Sequence, residues 1–130
     1  MKPILPMLLL LLQTGFALAG DGEQAEPEIA YYALEPALIT NVQGKYRYVK
    51  AEVQLMTERP DKLTDIEANA PALRHALLML LTDQDGEVLR TPSGKEALRK
   101  QALEAVRKTL KELTGKKLVE ELYFTAFFVQ

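Results

Sequence analysis

Between Tyr46 and Thr57 the chain alternates: Val49, Ala51, Val53 and Leu55 are apolar, while Lys50, Glu52 and Gln54 between them are polar. A period of two is that of a strand with one buried face. Upstream the phase reverses, because Tyr46 and Tyr48 fall on the polar parity and Lys45 and Arg47 on the apolar one. That reversal predicts a bulge or a strong twist near Tyr48. Two shorter β-prone runs precede this strand, Ile29–Leu34 and Ala37–Val42, separated by Glu35-Pro36. The residue before a proline is driven out of regular geometry, so the break predicts two strands. Gly44 supplies the turn into the long strand.

Arg59-Pro60-Asp61 ends that strand, and the period changes. Leu63, Ile66, Ala70, Leu73, Leu77 and Leu80 recur at steps of three and four, which is one face of a helix. Pro71 interrupts the face, predicting a kink or a short helix followed by a second over 71–81. Asp83-Gln84-Asp85-Gly86 reads as a turn. The next helix is framed at both ends. Thr91-Pro92 fits N-cap and first helical position, Ser93 with Glu96 offers an alternative capping box, and Gly115 closes the helix. Leu98, Ala102, Val106, Leu110 and Leu113 line its apolar face, and Glu96–Lys100 and Glu104–Lys108 are spaced for pairing on the other.

The last segment, Leu118–Gln130, is apolar on both parities beyond Leu122. Leu122, Phe124, Ala126 and Phe128 make one face, with Tyr123, Thr125, Phe127 and Val129 on the other. A strand covered on both faces lies centrally in a sheet or meets a partner. The order is then β-β-β-α-α-β, an α+β domain with one antiparallel-rich sheet and two helices on one face. If the second face is uncovered, Tyr123, Phe127 and Val129 form an apolar strip that needs a cover, a candidate self-association site.

The N-terminus carries a different signal. Met1 and Lys2 give a short positive start, Ile4–Leu12 is mostly apolar, and Ala17 and Ala19 match the small-x-small pattern read by a signal peptidase, with cleavage before Gly20. As a helix, Ile4–Ala19 would cover about 24 Å at ~1.5 Å per residue, short of a ~30 Å hydrocarbon core. Residues 1–19 are therefore expected to be a signal peptide or a short membrane anchor. Residues 20–28 form an acidic linker, and 29–130 the folded domain. Either outcome puts the domain outside the cytoplasm, in the periplasm, free or attached to the inner membrane.

Composition removes function classes more than it adds them. The 130 residues hold no cysteine and a single histidine. That excludes disulfides, thiolate nucleophiles and zinc–thiolate sites, and with them multi-histidine metal centres. A net charge of −2 gives no footprint for nucleic acid. No nucleophile elbow, phosphate loop or dinucleotide fingerprint occurs. No catalytic, metal or cofactor residue is assigned, and no enzyme is expected. His75, beside Arg74, reads as a boundary histidine. Asp83, Asp85 and Glu87 around Gly86 are too short a run for a calcium loop and read as an exposed turn. Tyr31, Tyr32, Tyr46, Tyr48 and Tyr123 all fall in predicted strands, where tyrosine is favoured. Lys95, Arg99, Lys100, Arg107, Lys108 and Lys111 outnumber the acids of their helix and read as a solvated face, with contact to anionic headgroups at the inner-membrane surface or to an acidic partner as the alternative.

Several stretches together resemble the periplasmic domain of the FliL family of flagellar basal-body proteins. They are Tyr31-Tyr32-Ala33-Leu34-Glu35-Pro36, the strand entry Gly44–Lys50, Ala70–Leu77, Thr91–Arg99, and the closing Tyr123-Phe124-Thr125 through Val129-Gln130. The resemblance runs in order from Tyr31 to Gln130. It implies a stomatin/prohibitin-like domain, anchored to the inner membrane and assembled as a homo-oligomeric ring around the motor's stator units. It further implies a non-catalytic scaffold that supports rotation, swimming and swarming. In family members a basic cytoplasmic stub and a full-length span precede the domain, whereas here the stub is nearly absent and the run short. The alternative reading is a free periplasmic module that binds an apolar ligand or lipid and has no motor role.

Overall fold

The structure, a computed structural model, describes residues 28–130. The apolar run 1–19, its expected cleavage residues Ala17, Ala19 and Gly20, and the acidic segment as far as residue 27 lie outside the described residues. Among the described residues no helix is long and apolar enough to cross a membrane.

The order is β1 (Ala30–Asn41), β2 (Tyr48–Thr57), a 3-10 turn (Pro60–Lys62), α1 (Leu63–Ala68), α2 (Ala70–Thr82), α3 (Gly86–Leu89), α4 (Pro92–Thr114) and β3 (Glu121–Val129). The three strands form one antiparallel sheet in the order β1-β2-β3. This is an α+β domain. The period-two reading of β2 holds: Val49, Ala51, Val53 and Leu55 are buried, Lys50 and Glu52 are exposed, and Gln54 is half-buried.

Three expectations change. The two N-terminal strands are one strand, interrupted by a bulge at Glu35-Pro36-Ala37 with a cis Glu35–Pro36 bond. Leu34 pairs with Val53 and Leu38 with Ala51, so three residues of β1 stand opposite the single Glu52. Two extra residues preserve parity, which is why Leu34 and Leu38 both point into the core. The phase reversal at Tyr46 needs no bulge near Tyr48, because β2 begins at Tyr48 and Tyr46 belongs to the hairpin loop. Finally, β3 is an edge strand rather than a central one, and it begins at Glu121 after Leu118, which has a left-handed φ of 57°.

The helices follow their caps. Pro71 sits in the first turn of α2, so α1 and α2 are separate helices meeting at Asn69. The Thr91 hydroxyl accepts from the Gly94 amide at 3.0 Å, which makes Thr91–Pro92 the cap and first helical residue. A Cβ at Gly94 would run into the Val88 carbonyl, so the close approach of α3 to α4 requires glycine there. Gly115 ends α4 in the left-handed conformation at φ 83°. Leu98, Ala102, Val106 and Leu110 are buried, but Leu113 is exposed, because the stripe turns away from the sheet before the last turn. Both long helices lie on one sheet face: α2 packs on β1, α4 on β3, and the two pack together. One apolar cluster from Leu34 to Leu122 fills the space between.

Candidate functional site

The chemistry-bearing residues singled out in the sequence are dispersed. His75 is exposed on α2, while its neighbour Arg74 donates to the Pro36 carbonyl and so ties α2 to the bulge of β1. Asp85 caps α3, its carboxylate accepting from the Glu87 amide at 2.8 Å. The same turn holds the β1–β2 hairpin, because the Gln43 amide donates to the Gln84 carbonyl and the Gly86 amide to the Gln43 carbonyl. Among the described residues no cluster of three histidine, aspartate or glutamate side chains is placed to hold a metal. The tyrosines do not gather either. Tyr31, Tyr48 and Tyr123 are on the sheet face away from the helices, Tyr32 faces the core, and Tyr46 lies in the hairpin.

The strand β3 and its flanks concentrate what remains. Val53 pairs with Phe124 but Glu52 with Ala126, so Thr125 is an extra residue on β3. One extra residue reverses the parity of everything beyond it. Phe127, opposite Ala51, and Val129, opposite Val49, therefore turn to the helix side and are half-buried. Phe127 and Phe124 pack ring to ring at 5.0 Å on that side. Tyr123 stays on the open face and is joined there by Phe128. The strip Tyr123, Phe127, Val129 is thus divided between two faces, and the exposed apolar residues of the open face are Tyr123 (41%), Phe128 (51%), Ile39 (59%) and Tyr31 (52%). The signal is present in the sequence as an apolar run on both parities, but nothing in that run marks where a bulge falls.

On the helix side β3 is bordered by cations. Arg99 bridges Glu96 and Glu121, each at 2.7 Å, and donates to the Leu122 carbonyl at 3.2 Å. Glu96 thus pairs with Arg99, not with Lys100. These hydrogen bonds hold the Glu96 carboxyl below the usual glutamate range and raise the Arg99 guanidinium above its own. Arg90 and Lys95 have no carboxylate partner among the described residues. Arg90 lies over the Tyr46 ring at 4.7 Å and donates to its hydroxyl, and Lys95 lies over the Phe127 ring at 5.2 Å. A hollow of about 330 Å³ runs from Arg90, Lys95 and Arg99 to Tyr123 and Phe124, and one of about 220 Å³ from Arg90 and Lys95 to Phe127 and Val129. A third, of about 580 Å³, lies between the two bulges, lined by Glu35, Pro36, Glu52 and Thr125.

The comparisons with known proteins agree with the resemblance noted in the sequence. The family model described as "Flagellar basal body-associated protein FliL" matches residues 31–130. The chain is also 28% identical over 109 residues to the "Flagellar protein FliL" of Aquifex aeolicus (strain VF5). That alignment covers 82% of this chain and 65% of the relative, so the chain spans under two thirds of the relative's length. The matched residues take in every helix and all three strands but for Ala30, the first residue of β1, and the chain belongs to the FliL family.

Proposed function

We propose that this chain is a non-catalytic accessory of the bacterial flagellar basal body, working by assembly on the periplasmic side of the inner membrane. In this reading it associates with the motor stator and supports rotation, swimming and swarming. The observation that carries the proposal is the family match over residues 31–130, from the first strand to the last. The surface chemistry is consistent with it, because the side chains of interest border an apolar sheet face and a strand edge instead of converging on a reacting centre.

Self-association belongs to the same proposal. Its surface is the open sheet face, where Tyr123 and Phe128 of β3 stand in rows with Ala33 and Ile39 of β1 across β2. The apolar strip inferred from the sequence keeps Tyr123 and exchanges Phe127 and Val129 for Phe128.

Deletion in the native host tests the motor role. Loss or reduction of swarming and of swimming in viscous medium, restored by the intact gene, is the expected result. Unchanged motility in both assays would remove the flagellar assignment. The N-terminal residue of protein recovered from cells then separates a cleaved leader, starting at Gly20, from a retained anchor.

A further inference from the structure

We infer that the outer edge of β3 is a docking site for an extended acidic segment of a partner protein, which adds to the sheet as a fourth strand. The inference rests on the strand edge and its charges and stands whether or not the partner belongs to a flagellum.

With β2 in the centre, β1 and β3 each leave one edge without a strand partner among the described residues. The two edges differ. That of β1 is broken by the Glu35-Pro36-Ala37 bulge, where Pro36 has no N–H and its carbonyl is already taken by Arg74. From Leu122 to Val129, β3 has no proline and no charge; Arg99 holds the Glu121 before it and takes the Leu122 carbonyl, so the free edge runs from Phe124 to Val129. An uncharged, proline-free edge is the kind that accepts another strand.

The ladder shows which groups are free. The Tyr48 amide donates to the Gln130 carbonyl at 2.9 Å and the Gln130 amide to the Tyr48 carbonyl at 3.0 Å, so this pair faces inward. In an antiparallel pair, alternate residues turn their backbone groups outward. Phe127 and Val129 therefore aim N–H and C=O away from β2. Phe127 and Val129 line the hollow that also holds Arg90 and Lys95. An incoming strand would bond to them and set every second side chain beside those two cations. Acidic residues suit that side, and the intervening side chains, turned to the open face, would extend the apolar row of Tyr123 and Phe128. The occupant defined by this geometry alternates carboxylate with apolar side chains.

The test uses a capped synthetic peptide of about eight residues that alternates glutamate and valine, and a lysine–valine counterpart of equal length. Each is added to the full chain, and binding and amide hydrogen exchange are followed together. The glutamate peptide should slow exchange across Phe124–Val129 and leave β1 unchanged. Its affinity should fall by about tenfold or more on raising salt, or in an Arg90→Glu, Lys95→Glu double variant. Val129→Pro, which removes an outward N–H but no bond to β2, should weaken binding while the rest of the sheet keeps its protection. The lysine peptide should not bind. Equal binding of both peptides, binding that leaves β3 exchange unchanged, or indifference to the double variant would each overturn the inference. So would slow, concentration-dependent exchange of Phe124–Val129 without peptide, since a second copy would then occupy the edge. Protection by anionic vesicles but not by peptide would assign the cations to a membrane instead.

Discussion

Thr57 is the one polar side chain buried with the core among the described residues, and both of its bonding roles are filled. Its hydroxyl donates to the Leu118 carbonyl at 2.7 Å and accepts from the Arg59 amide at 3.0 Å. The pair of bonds helps hold Leu118 in its left-handed turn, with its side chain buried, so that β3 enters in register. Arg99 does comparable work at the surface, joining Glu96 of α4, Glu121 and the Leu122 carbonyl at the start of β3. Hydrogen bonds from Arg99 hold the Glu96 carboxyl below the ordinary glutamate range, so it protonates at lower pH in the fold than in the unfolded chain. The resulting stability is present above the ordinary glutamate range and is lost as pH falls through the depressed value. Arg99→Met should therefore lower the urea midpoint at neutral pH, and the difference from the parent should shrink in acid to what the Arg99–Leu122 carbonyl bond and packing contribute. A difference that persists unchanged in acid would mean that packing, not the charge bridge, is what Arg99 contributes. None of these tertiary partners follows from the residues alone, since the Thr57–Leu118 and Arg99–Glu121 contacts are made only once the chain has folded.

At the scale of the element, β3 separates what periodicity carries from what it hides. In β2 polar residues mark one parity, so its buried face is legible in the alternation itself. In β3 both parities are apolar past Leu122, and a one-residue bulge at Thr125 is invisible to the pattern while it reverses every later side chain. The bulge of β1 hides in the opposite way: Glu35-Pro36 has the form of a boundary, yet two extra residues leave Leu34 and Leu38 on the same face and the strand continues. The four-residue α3 falls below the length at which period is readable, and its Asp85 cap has the composition of a turn. These differences change what two neighbouring substitutions should do. Phe127→Glu buries a carboxylate against Phe124 and the core and should cost about 2 kcal/mol or more. Phe128→Glu lies on the open face and should change stability by only about 0.5 kcal/mol, while reducing any self-association through that face. Denaturant titration and light scattering on both variants check the pair. The reverse order of stabilities would place the bulge elsewhere, and oligomers untouched by Phe128→Glu would take self-association off the open face.

At the scale of the molecule, the fold class and the helix caps are legible in the sequence because local signals agree with one another: alternation in β2, stripes in α2 and α4, Thr91–Pro92 and Gly115 at the ends of α4. The family resemblance is legible because its motifs keep their order along the chain and several take in a turn, bulge or cap: Glu35-Pro36, Gly44 and Thr91-Pro92. The open face and the free strand edges are not, because they depend on which strand is left at the edge, and strand order is a property of the assembled sheet. Among the described residues that assembly is closed on itself. Every member of the buried apolar cluster lies between Leu34 and Leu122, and the sheet and both long helices close around it. A chain starting at Glu28 should therefore unfold in a single cooperative urea transition, with stability within about 0.5 kcal/mol of the longer chain. Circular dichroism and tyrosine fluorescence should give coincident curves. Non-coincident transitions, or a short chain that fails to fold, would show that residues before Glu28 take part in the core, and the open face or the β3 edge would then be the place to look for them.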